Sequence, residues 1–295
     1  MPDSITTAFV QEYKATVDLL LQQAGSRFRG AVTTDTYTGK AGSAVEQFGA
    51  TSAVKRTSRH ADTPLLDVPQ DKRWVYPVDY EWASLIDNVD KLRMIVDPTS
   101  PYAINGKNAM ERAVDDEIIA AFFASANTGE NGTTAEAFDT TNYQVGVNVG
   151  GTASSINVAK LQSALQKLML AYKGEVTEQI FGGISSYEHD ALLKEIQVTS
   201  KDFNGGQPVL EDGKVKRFLG VDFIISERLN ISSGNRLIPI WTPTGVHLGV
   251  WEDLNASVDK RADKSNSWQV YLCETIGATR LQQGKVIQVL CDDQI

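Results

Sequence analysis

With only two cysteines in 295 residues, Cys273 and Cys291, the chain cannot carry a disulfide scaffold, and their spacing suits no zinc site. A reducing, cytoplasmic place of synthesis is therefore expected. No run of 18 or more apolar residues occurs, so no membrane-spanning helix is expected. The first residues are acidic and amphipathic rather than basic then apolar, unlike a secretory leader. Without secretion, the sequons at Asn131, Asn230 and Asn255 carry no meaning. Positive charge is also short: 28 Lys and Arg stand against 37 Asp and Glu, a net charge of −9. Non-specific grip on nucleic acid needs clustered basic side chains to neutralise phosphates, which this chain does not offer. A surface that faces DNA without gripping it fits that balance better.

Catalytic motifs are missing too. Gly39-Lys40 is followed by Ala41 and preceded by Thr34 where a phosphate-binding loop needs glycine. Gly146, Gly150 and Gly151 form no dinucleotide fingerprint, and no serine sits in a Gly-x-Ser-x-Gly elbow. Neither cysteine has a basic sequence neighbour to lower its pKa. The three histidines, His60, His189 and His247, lack HExxH spacing. Glu188-His189-Asp190 could feed a metal, but acids there also suit the start of a helix. Asp115-Asp116-Glu117 is expected to be a solvated helix face, since consecutive side chains diverge by about 100°.

What is present is a folded composition, 42% apolar and 22% charged, in an α+β pattern. Phe9, Tyr13, Val17, Leu20 and Leu21 predict an amphipathic helix from Ser4 to about Ala24, stopped at Gly25. From Thr33 to Arg73 the chain is rich in Gly, Thr, Ser and Ala, with Val45-Glu46-Gln47-Phe48 predicting a two-stranded ribbon. Such a ribbon is marginal alone and gains stability against another surface. Lys55, Arg56, Arg59 and His60 give it local positive charge, which suits ion pairing with another subunit and equally a solvated surface loop. Trp74 to Trp82 predicts one strand, with Pro77 placing it at a sheet edge or marking a bulge. A helix is predicted over Ala103–Ala126, burying Met110, Val114, Ile118, Ala121 and Phe122, with Lys107–Glu111 and Arg112–Asp116 paired on its outer sides. A second helix starts at Ser154 or Ser155 and turns Val158, Leu161, Leu165, Leu168, Met169 and Tyr172 inward. Gln179–Ile184 predicts a buried strand, and Ser185 with Glu188 a capping box opening a helix to about Ile196. A hairpin at Asp212-Gly213 and a strand over Phe218–Ser226 follow. Four strands close the chain: Leu237–Trp241, His247–Trp251, Trp268–Ile276 and Lys285–Cys291.

This order of segments resembles the major capsid protein of a tailed bacteriophage with the Hong Kong 97-type fold, and more narrowly a coat family common among short-tailed phages. The resemblance is carried by Phe9-Val10-Gln11-Glu12-Tyr13 with Gln22 to Arg29, by Arg59-His60-Ala61-Asp62-Thr63-Pro64, and by Ile86-Asp87 with Asp90. Asp97-Pro98 to Tyr102, Arg112 to Ile119 and Arg217 to Phe223 extend it over nearly the whole chain. It implies an α+β fold made of an N-terminal arm (1–32), an extended β-ribbon loop (33–73), a peripheral domain (74–154) with spine helix 103–126, an axial α/β domain (155–244), and C-terminal strands (245–295) returning to the peripheral domain.

The same resemblance implies a shell of hexamers and pentamers around double-stranded DNA contacted non-specifically, assembled in the host cytoplasm and ending in the virion. A separate scaffolding protein, a portal protein and possible decoration proteins would be partners; no cofactor, metal, catalysis or membrane is implied. The subunit contacts it points to are Phe9, Tyr13 and Arg27 on the arm and Arg56, Arg59, His60 and Asp62 on the loop. An encapsulin-type compartment would share the fold, and a metal-dependent enzyme built on Glu188-His189-Asp190 is the reading from another class.

Overall fold

The computed structural model describes residues 22–60, 62, 63, 65–86, 99–199, 210, 211 and 214–292. The expected N-terminal helix, with Phe9 and Tyr13, and the turn at Asp212-Gly213 lie outside them. The chain is mixed α+β and rich in strands. In order these are β1 (Thr33–Thr36), β2 (Gly42–Phe48), β3 (Gln70–Val75), β4 (Val78–Ile86), β5 (Ala126–Thr128), β6 (Thr134–Glu136), β7 (Gln144–Val145) and β8 (Ile180–Ile184). Then come β9 (Leu210–Glu211), β10 (Lys214–Val215), β11 (Arg217–Phe218), β12 (Val221–Ile225), β13 (Ile231–Ser232), β14 (Asn235–Trp241), β15 (Val246–Arg261), β16 (Ser267–Arg280) and β17 (Val286–Asp292). The main helices are α1 (Thr99–Phe123), α2 (Val158–Tyr172) and α3 (Ser186–Lys194).

The described residues divide into two compact units. One draws on Asp79–Arg112 and Glu252–Glu274, the other on Ser26–Val78, Ala113–Trp251 and Thr275–Ile295. In the smaller unit Ile86, Met110, Val270 and Leu272 form the core, with Tyr80, Trp82 and Trp268 packed against it. Gly106 lets the helix touch that core: a Cβ there would meet the Trp82 ring at 2.6 Å and Leu272 at 2.7 Å.

The larger unit is built on a mixed sheet in the order β11-β12-β8-β14-β17-β7. β8 and β12 run parallel over five residues, and β14 and β17 antiparallel over seven. Strands buried on both faces read as continuous apolar runs, as Ile180-Phe181-Gly182-Gly183-Ile184 does, while in Val286–Leu290 only the buried Gln288 breaks the run. The core centres on Trp241, whose ring lies 4.6 Å from Phe122, 5.8 Å from Phe28 and 5.9 Å from Phe181. Its indole N–H donates to the Ala31 carbonyl at 2.8 Å, so the residues around Phe28 are tied into this core.

The helix α1 buries the five residues its spacing predicts, Met110, Val114, Ile118, Ala121 and Phe122. It starts at Thr99, four residues before the expected point, because Pro101 falls in the first turn, where a missing N–H costs nothing. It ends three residues early because Ala126–Thr128 is drawn into a strand. Its final carbonyls are satisfied by the buried Arg280, which donates to Phe122 and Ala124 at 2.9 and 2.8 Å. At 25 residues it is about 37 Å long.

Several local expectations shift for identifiable reasons. Pro77, which cannot donate to a ladder, splits the predicted Trp74–Trp82 strand into β3 and β4. A left-handed pair, Leu219 at φ 51 and Gly220 at φ 82, divides the Phe218–Ser226 strand into β11 and β12. Asn157, not Ser154 or Ser155, caps α2, accepting from the Lys160 amide at 2.8 Å. Met169 is exposed on α2, while Lys160 is fully buried. The Ser185–Glu188 capping box forms as the sequence predicts.

Candidate assembly surfaces

The ribbon expected near Val45–Phe48 is β2 paired antiparallel with β3, from Gly42↔Val75 to Phe48↔Gln70, with a bulge between Ser43 and Val45. β3 continues into a sheet with β5 and β6. This base is fixed by polar groups reaching inward. The Arg73 guanidinium donates to the Leu281 carbonyl at 3.0 Å and ion-pairs with Glu136. Gln47 donates to the same carbonyl at 2.6 Å. Asp71 accepts from the Thr128 hydroxyl, the Gly129 amide and the Lys72 amide. The Thr128 hydrogen bond foremost, joined by those amides and the Arg73 charge, holds that carboxyl below the usual carboxylate range despite some opposing desolvation. Nearby, burial first and the Arg73 charge second push the Arg280 guanidinium down to about 10.

Above this base the picture inverts. Gly49 donates to the Pro69 carbonyl at 2.6 Å, closing the neck, and every described residue from Gly49 to Pro69 is exposed. Leu65 retains 98% of its surface, and Phe48, Val54, Leu66 and Val68 are also exposed. Arg56 donates to the Ser58 carbonyl at 2.8 Å. Arg56, Arg59, His60 and Asp62 thus share one exposed loop. Arg27 is engaged within its own chain, donating to the Ile225 carbonyl, while Phe9 and Tyr13 lie outside the described residues.

Before the ribbon, β1 pairs in parallel with the start of β15, from Thr33↔His247 to Thr36↔Val250. His247 is buried beneath it. Thr33 donates its hydroxyl to the Val246 carbonyl at 3.0 Å, so its oxygen accepts from His247 Nδ1 at 3.1 Å. Nε2 then accepts from the Tyr37 hydroxyl at 2.9 Å. Desolvation holds this imidazole below its ordinary pKa, partly offset by Asp35.

The acidic clusters do not converge on a reaction centre. Glu188 closes the capping box and faces Arg236, His189 accepts from the Val215 amide at 3.1 Å, and Asp190 pairs with Lys194. Among the described residues no group of three metal-ligating side chains comes together. The run Asp115-Asp116-Glu117 is not the uniform solvated face expected. Asp115 is fully buried and accepts from the Ser26 hydroxyl and the amides of Arg27 and Phe28. Lys107 pairs with Glu111 as predicted, but Arg112 turns to Gln22 and Gln23, and Asp116 pairs with Arg228.

A family model described as phage capsid protein matches residues 5–293. No curated protein matches this sequence. The capsid protein of cyanophage P-SCSP1u is similar in structure, with a TM-score of 0.74 at 14% identity, covering 96% of this chain and 93% of that one. The mature capsid of bacteriophage PhiM1 gives 0.69 at 12% identity, covering 96% and 92%. The Mycobacterium phage Che8 structure gives 0.68 at 14% identity, covering 97% and 98%.

Proposed function

Because the chain belongs to the phage capsid protein family, we propose that its copies close as hexamers and pentamers into the icosahedral head, with the Gly49–Pro69 loop of each laid over a neighbour. One observation carries this reading: a segment whose described residues are all exposed, leucines included, stands on a base pinned by buried Arg73 and Arg280. A lone molecule gains nothing from leaving Leu65 in water; a repeated contact recovers that apolar surface at every copy.

The domain plan follows the same reading. The segment 74–154 with α1 as spine is the peripheral domain, 155–244 the axial domain, and 245–295 the returning strands. An arm laid on a neighbour would end ahead of Ser26, since Phe28 and Ala31 are buried within their own chain. The extended loop is the part of 33–73 above the Gly49–Pro69 neck, because β1 and Arg73 are held in the body. The chain would do no catalysis. A scaffolding protein, a portal and decoration proteins would meet the shell, and packaged double-stranded DNA would face its acidic subunits without specific contacts. Assembly would take place in the host cytoplasm.

The test replaces residues 50–68 with a short Gly-Ser link across the neck, whose ends are already hydrogen-bonded. The expected product is a folded subunit with an unchanged melting temperature that makes no closed particles by electron microscopy. Normal shells from this variant would overturn the reading.

A further inference from the structure

The outer face of α2 carries an open groove of about 770 Å³ that the proposed assembly does not yet use. Leu165, Met169, Leu170 and Leu219 line it, with Lys173 at the C-terminal end of the helix. Met169 is 47% exposed and Leu170 70%. Leu219 reaches the groove from the β11–β12 turn with φ 51, a conformation that suits glycine or asparagine better than a branched apolar residue. Four apolar side chains on one unpartnered surface, one held there against its backbone preference, mark an interaction site.

We propose that this groove receives Leu65-Leu66-Asp67-Val68 from the loop of a second copy, an inference that rests on the shell reading above. Leu65, almost wholly exposed, and Leu66, half exposed, match an apolar floor that is itself open to solvent. Charge fixes the direction. Asp67 follows the leucines, Lys173 follows the apolar stretch of the helix, and neither makes an ion pair among the described residues. Lengths agree: four extended residues span about 13 Å, and Leu165 to Lys173 covers about 12 Å of helix. Lys55, Arg56 and Arg59 would be repelled by Lys173, so the basic part of the loop is the wrong occupant.

The test uses full-length chain carrying Cys273→Ser, with Leu65→Cys in one population and Leu170→Cys in the other, co-assembled into particles and oxidised. A dimer-sized band on non-reducing gels from the mixture, absent from either population alone, is expected. A band from Leu170→Cys particles alone would mean that two helices meet face to face, and would overturn the proposal. No band in the mixture would overturn it as well. Should Leu65→Cys in such particles link, through a photoreactive maleimide, to another site on a neighbour, the loop-over-neighbour reading survives without the groove; no cross-copy link at all removes both. Independently, Lys173→Glu is expected to cut particle yield several-fold and Asp67→Lys to restore it. A defect that Asp67→Lys fails to relieve would overturn the pairing.

Discussion

The amide of Phe28 donates to Oδ1 of Asp115 at 3.1 Å, and neither residue keeps any exposure to solvent. Arg27 donates its own amide to the same carboxylate at 3.0 Å. One acid on α1 thus ends the chain's approach to the core and seats the Phe28 ring beside Trp241. Asp115→Ala strands at least one buried donor, at a cost of about 1–3 kcal/mol. Urea denaturation is expected to show at least that loss. Asp115→Asn, which turns an NH2 toward the amides, is expected to lose a comparable amount. Wild-type stability in both would show the turn to be held by other means.

Gly277 lies against the backbone of β3's end: a Cβ there would stand 2.0 Å from the Tyr76 carbonyl oxygen. Backbone cannot swing aside as a side chain does. Gly277→Ala is expected to destabilise by about 1–3 kcal/mol or more, read by thermal melting. Gly146→Ala, with nothing within 4 Å, is the matched control and is expected to melt as the parent does.

Acid is expected to loosen β1 through His247. Its folded-state pKa is lowered from 6.5, chiefly by burial, so below that value the unfolded chain takes a proton that the folded chain resists. The contribution is complete above pH 6.5 and shrinks as pH falls toward the folded-state value. Asp35 on β1 and Tyr37 just after it face the ring, and Asp35 partly offsets the effect. Denaturation midpoints between pH 7 and 5 are expected to fall more steeply in the parent than in His247→Gln. Parallel slopes would show that another group governs the acid limb.

Arg56 and Arg59 carry charge on a loop whose proposed counterpart belongs to an acidic subunit. Reversing both to glutamate is expected to raise the concentration needed for assembly at low salt and to matter less at high salt, where screening shortens the reach of charge. Light scattering against protein concentration at two ionic strengths measures this. A defect of equal size at both would point to a steric cause.

Much of the architecture was legible in the sequence because period and position agree with burial. The α1 stripe, the β2–β3 ribbon and the Ser185–Glu188 capping box are local patterns set by local forces. Asp115 was misread, and Lys160 passed over, because chemistry was weighed above spacing. Asp115 stands three residues before Ile118 and seven before Phe122, and Lys160 four before Ala164 and eight before Leu168, each on the apolar stripe of its helix. The Arg27 and Phe28 amides that Asp115 accepts from, and the Leu290 carbonyl that Lys160 reaches besides the nearby Ser154 carbonyl, are distant in sequence and invisible to a local pattern. The α2 groove was missed for the converse reason. Met169 looks like core by type, and only the fold shows that the core lies on the other side.

The narrow neck between Gly49 and Pro69 has a practical consequence. Trypsin can find Lys55, Arg56 and Arg59 on a solitary molecule, yet the severed halves would stay zipped together by β2 and β3 and the body would not fall apart. Digestion therefore becomes a clock for closure: nicking that is swift before subunits unite and slow afterwards would time the moment at which each loop finds its neighbour.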